Sequence, residues 1–236
     1  MANDKGLTML TAISIFIIFG VFAMLYLESL WSNAITLINV TLSCVIALCF
    51  FEPLATFAES YARSFTYFWD FLSMGFLFVV TFAIMRLLTD LMSRTRVKFR
   101  APIEIPGRLI CAFLVAVVMV SFILCLMHVA PLPAAPFNGG LGQSPTQPTI
   151  LIFSPDRGLL AFTQMVSRGS LSRGAVAGVP PHPDDANMNV NAFDPKATFV
   201  LKYRQRRRDL EKLGEVDESR RGFGGLRVGD DDRKAQ

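Results

Sequence analysis

The sequence predicts an all-α membrane protein: a four-transmembrane-helix bundle followed by a largely disordered C-terminal tail containing one or two short helices. Three observations predict it. Hydrophobic residues make up 52% of the 236 and charged residues only 18%, where a soluble domain carries roughly 25% charged; mean hydropathy is +0.43. Four runs, 7–27, 31–51, 71–85 and 109–130, contain no Asp, Glu, Lys, Arg or Pro. Ten of the 13 prolines, 12 of the 16 glycines, 15 of the 23 Lys and Arg and 12 of the 19 Asp and Glu lie beyond residue 130. The two parts therefore face different solvents, and the boundary falls near Pro131.

A helix needs about 20 apolar residues to cross a hydrocarbon core of ~30 Å, because each residue rises ~1.5 Å. The first, second and fourth runs meet that length. The third holds 15 residues, so it spans by extending back through Phe65, Tyr67, Phe68 and Trp69, with Asp70 at headgroup level and Arg86 reaching toward the interface. The expected spans are thus about 7–27, 31–51, 65–86 and 109–130, in a membrane domain of residues 1–130. The opening Met1 to Gly6 is too short and too weakly basic for a signal-peptide n-region, and no small-residue cleavage site follows the first run, which reads as a retained span. Cys44, Cys49, Cys111 and Cys125 all fall inside spans, at spacings unlike a zinc motif, and read as small apolar packing residues.

Orientation follows from the basic residues of the short loops. The N-terminal tail offers Lys5 and the middle loop Arg63, whereas Arg86, Arg94, Arg96, Lys98, Arg100 and Arg108 surround the third loop. The third loop is therefore expected in the cytoplasm, which puts both termini on the outer face. Tyr26, Trp31, Tyr67 and Trp69 serve as interfacial anchors.

The order of these features resembles the colicin V production protein family (CvpA), over roughly residues 7–135. The resemblance is carried by the tight connection between the first two spans and by Phe50-Phe51-Glu52-Pro53-Leu54-Ala55, like the family's aromatic-x-Pro-Leu-Ala ending. It is carried further by the amphipathic continuation of the third span from Arg86 to Met92, and by the glycine-led start of the last at Pro106-Gly107-Arg108-Leu109. The chain differs in having Glu28-Ser29-Leu30-Trp31-Ser32 where the family has a Gly-basic-Gly turn, and it lacks the Asp-Arg pair before the last span. The resemblance implies a non-enzymatic inner-membrane protein associated with toxin production or export, or with envelope homeostasis.

Ser32, Thr36, Asn39 and Ser43 form a polar stripe on the second span, within about 60° of one another on a helix of 3.6 residues per turn. In lipid such a stripe turns toward other helices: within the monomer, at a homo-oligomer interface, or along a water-filled path. Arg94, Arg96, Lys98 and Arg100, beside Leu87, Leu88, Leu91 and Met92, form a basic loop suited to lying on a membrane surface, with Pro102 and Pro106 turning the chain into the last span. Asp70 is the one acid that interrupts an apolar stretch, which makes it the sole candidate for a proton or cation site; the alternative is an acid at a helix start that stays hydrated and favoured by the helix dipole.

Beyond Pro131, residues 131–153 read as a Pro/Gly-rich linker, and 154–236 as a tail with short helices about 155–168 and 197–213. Ser154-Pro155-Asp156 is a helix start by capping, fixed φ and dipole. Leu159, Phe162 and Val166 form one apolar face that docks on the membrane or on the rest of the protein. Arg204, Arg206, Arg207 and Arg208 are followed at once by Asp209 and Glu211, which reads as a solvated tail. His128 and His182 stand isolated, so no metal cluster, triad or cofactor motif assembles and no cofactor is expected. The expected partners are the lipid bilayer and another copy or other envelope proteins, with no nucleic acid. Two alternatives remain at this level: an oligomeric channel or transporter subunit lined by the stripe, and a membrane-anchored scaffold whose basic tail binds lipid or nucleic acid.

Overall fold

The computed structural model describes residues 2–61, 66–92, 101–133, 137, 141, 154–167, 193–194 and 197–225. Six helices are present among them and no strand: α1 (Ala2–Leu25), α2 (Leu30–Tyr61), α3 (Thr66–Met92), α4 (Ala101–Val129), α5 (Pro155–Ser167) and α6 (Phe199–Gly225). Four stretches, Gly6–Leu25, Leu30–Tyr61, Phe68–Met92 and Pro102–Val129, are long and apolar enough to cross a membrane. These helices carry no broad charged face, which suits a hydrocarbon solvent and not the surface of a globular protein.

The helices extend past the charge-free runs. α2 continues through Pro53 to Tyr61, so the proline removes one ladder hydrogen bond without ending the helix. α4 begins at Ala101 and carries Pro106 inside it; of the prolines expected to turn the chain into the last span, Pro102 lies in the helix's first turn, where its N–H would have no intrahelical partner, and Pro106 gives up one ladder hydrogen bond without ending the helix. Ser29 caps α2, its Oγ accepting from the Ser32 N–H at 3.3 Å.

α2 and α4 are central, with 56% and 44% of their apolar windows buried, against 17% for α1 and 11% for α3. α3 packs on α2, α1 on α4, and α5 crosses α4 and the edge of α2. At one end, Asn33 donates to the carbonyls of Leu25 at 3.1 Å and Arg108 at 3.3 Å, tying the end of α1 and the start of α4 to the start of α2. A Cβ on Gly107 would lie 3.0 Å from both Leu30 methyl carbons, so this glycine sets how closely α4 approaches α2. The other end carries the close of α2, the start of α3 and the close of α4, and the tail helices fold back onto it. In the connection after α4, Leu141 is buried with Leu10, Val120 and Leu124, and Phe137 packs against them.

Candidate functional site

A cluster of ionisable side chains lies where the tail meets the bundle. Cys125 and His128 are three apart on α4 and share a face. The His128 ring, 1% exposed, lies with Nε2 3.1 Å from Oδ2 of Asp156, also 1% exposed. Asp156 is there because Ser154 and Pro155 start α5 at that point: the Gly158 N–H bonds the Ser154 carbonyl at 3.2 Å, and the acid occupies the first turn. The Cys125 thiol donates to the Asp156 carbonyl at 3.6 Å.

α6 is fastened to three spans. Its N-terminus is capped by Asp194, whose Oδ1 accepts from the Thr198 N–H at 2.7 Å and Oδ2 from the Phe199 N–H at 2.8 Å. The rings of Phe199 and Tyr203 meet at a tilt of 59° with centroids 4.9 Å apart and press on Phe51 of α2 and on Phe193. Lys202 donates to Glu52 of α2 at 2.8 Å. Arg206 pairs with Asp70 of α3, and the Tyr203 hydroxyl donates to the same carboxylate at 3.3 Å. Arg207, buried, donates to the His128 carbonyl at 2.9 Å, placing a cation on the orphan carbonyls that end α4. Burial, then the charges of Asp70 and Glu52, raises the Tyr203 pKa above its ordinary value. Burial, then the neighbouring Arg204, lowers that of Arg207.

The predicted stripe meets α3. Thr36 accepts from Arg86 at 2.9 Å, and Asn39 donates to the Thr89 hydroxyl at 3.0 Å. Ser43 returns its hydroxyl proton to the Asn39 carbonyl at 2.7 Å, Thr36 does the same to Ser32 at 2.8 Å, and Arg86 also pairs with Asp90 at 3.1 Å. Arg94, Arg96, Lys98, Arg100 and His182 lie outside the described residues.

Three sequence expectations change here. His128 is not isolated, because α5 brings Asp156 to it across 28 positions. Arg206 and Arg207 are not solvated, because the acid partner and the helix end they meet belong to α3 and α4, not to neighbours in sequence. The apolar face expected on α5 is met in part: Leu159 is buried and Val166 packs on the core, but Asp156, Thr163 and Ser167 are buried beside them and Phe162 is 40% exposed. The sequence shows the two ends separately, a histidine closing an apolar span and an acid opening the next helix, but 28 positions apart no local pattern pairs them.

The chain matches no family model, no curated protein and no solved structure. Chemically, the arrangement spends its charges on closing the bundle end. Among the described residues no group of three His, Cys, Asp or Glu side chains has the geometry to hold a metal ion.

Proposed function

We propose that the chain is a non-enzymatic, multi-pass protein of the bacterial inner membrane, similar in role to the colicin V production family, whose bundle anchors a folded cap. The cap is the interaction surface through which it serves toxin production or export, or envelope homeostasis. The observation that carries this reading is the fastening of α6 to three different spans by Lys202, Arg206 and Arg207. Charges committed to pairs between α6 and the spans hold a surface in shape. The internal bonds of Thr36, Asn39 and Ser43 support the same reading over a stripe-lined channel. The basic third loop supports a cytoplasmic position for that loop and an outer position for the cap.

The test is complementation. Cells lacking the protein are compared for colicin V release and envelope permeability, with wild type or a Lys202→Glu, Arg206→Glu double variant restored at equal membrane abundance. The reading expects wild type to restore both and the cap variant to fail. Equal rescue by the variant, or no phenotype in either assay, rejects it.

A further inference from the structure

The chain after α4 stays against the bundle. α5 begins beside His128, where Asp156 meets the ring, and packs on α4 and the edge of α2. Further along it, Phe162 and Val166 form one wall of a groove of about 310 Å³, whose other wall is α2 at Leu37, Ile38, Thr41 and Val45.

Those α2 positions fix the depth of the groove. They lie between two charged levels of the bundle, Arg86 on Thr36 and Lys202 on Glu52, inside the charge-free run 31–51. From Glu52 to Thr41 is about 16 Å along a helix, roughly half of a ~30 Å hydrocarbon core. From Asp156 to Val166 is about 15 Å by the same rise, so α5 reaches that depth by running back along α4.

The residues of α5 suit that place. Its charged side chains, Asp156 and Arg157, stand in the first turn, and there is none from Gly158 to Ser167. Its large outward side chains are apolar, Phe162 at 40% and Met165 at 66% exposure, whereas α6 exposes Lys202, Arg208, Asp209 and Glu211. Polar groups of α5 and of the segment leading into α6 are engaged within the protein. Thr163 donates to the Leu159 carbonyl, Gln164 to the Asp194 carbonyl, and Ser167 Oγ accepts from the Phe193 N–H, each at 2.9 Å. Non-helical backbone is tolerated at membrane depth when its polar groups are satisfied by protein in this way.

We propose that α5 is a re-entrant helix, inserted into the bilayer from the end of the bundle that carries His128, and that the groove between it and α2 holds an acyl chain of a bilayer lipid. The occupant follows from the depth, because the groove opens at the level of the lipid chains. The inference rests on the membrane reading and goes beyond the cap's proposed role, because it places one of the two cap helices inside the bilayer.

The test uses the full-length protein in liposomes, with a charged, membrane-impermeant maleimide on both sides of the bilayer. The Phe162→Cys and Met165→Cys variants should react roughly tenfold more slowly than Glu211→Cys on α6, because a thiol in apolar surroundings forms little thiolate. They should react no faster than Phe76→Cys, an exposed position on α3; wild type gives the background of the four native cysteines. Met165→Cys reacting as fast as Glu211→Cys overturns the insertion of α5. Phe76→Cys reacting as fast as Glu211→Cys would instead reject the membrane reading itself, so the two failures are distinguishable. For the groove, phosphatidylcholine carrying a photoreactive diazirine at mid-chain should label α5 of the wild-type protein. Ile38→Trp, which fills the groove from a position 65% exposed, should lose that label with helicity unchanged by circular dichroism. Absence of label on α5, label that survives Ile38→Trp, or crosslinking of α5 to a second copy in its place overturns the acyl-chain assignment.

Discussion

At the scale of single residues, Tyr203 has a consequence that can be followed with pH. Its pKa is raised by burial and by Asp70 and Glu52, so the docked state holds the phenolic proton more tightly than the undocked state. The contribution of Tyr203 to docking is therefore complete below pH ~10, the ordinary tyrosine value, and is lost as pH rises from there toward the folded-state pKa. A spectrophotometric phenolate titration should show a late, cooperative component among the four tyrosines, absent in Tyr203→Phe; an unchanged titration in that variant would contradict the assignment. His128 and Asp156 make a second residue-scale prediction. Asp156→Ala leaves a buried ring nitrogen without its partner, at a cost of about 1–3 kcal/mol, whereas His128→Leu with Asp156→Leu removes both polar groups and should recover most of that loss. Thermal unfolding in detergent reads both, and a double variant no better than the single one would count against the pairing.

Among elements, the α2–α3 seam and the α2–α4 approach decide the bundle. Asn39→Leu deletes the bond to Thr89, whose hydroxyl still has the Met85 carbonyl at 2.9 Å, so the expected loss is small, about 0.6–1.7 kcal/mol for an interhelical hydrogen bond in a bilayer. Denaturation in mixed micelles measures it, and a flux assay in vesicles should show no change for the same variant. Gly107→Ala should be absorbed by rotation of the Leu30 side chain, while Gly107→Leu should push α4 away from the start of α2 and lower the same midpoint clearly. That the stripe lies on one face was legible in the sequence, because helical periodicity is local. Its partner was not: Arg86 and Thr89 are 50 positions from Thr36 and Asn39, and the stripe has the same period whichever helix it meets.

Taken whole, the molecule is a layer of spans with its tail folded back over one end. Truncation before Ser154 should leave the spans resistant to alkaline carbonate, because their insertion depends on apolar length alone. It should also lower thermal stability in detergent, because Glu52, Asp70 and the closing carbonyl of α4 lose their cations. A truncated protein as stable as the full chain would make the cap dispensable. Sidedness is tested separately by reporters placed after Thr95 and at the C-terminus. A periplasm-active phosphatase working only at the C-terminus is expected from the basic third loop, and a cytoplasmic fluorescent signal there would reverse the orientation.

What the sequence determined by itself was the solvent of each part and the helical character of the spans, since hydrophobicity, charge-free length and helical period are properties of neighbouring residues. It also placed the start of α5, because Ser154, Pro155 and Asp156 act on the backbone next to them. Only the tertiary structure decided what the ionisable groups do. Lys202 reaches Glu52 across 150 positions and Arg206 reaches Asp70 across 136, and no local pattern distinguishes an arginine that will meet a span's acid from one that stays in water. The exposure of Phe162 has the same origin: the side of a short amphipathic helix that packs inward is set by the surface it meets, and here that surface sets His128 against Asp156.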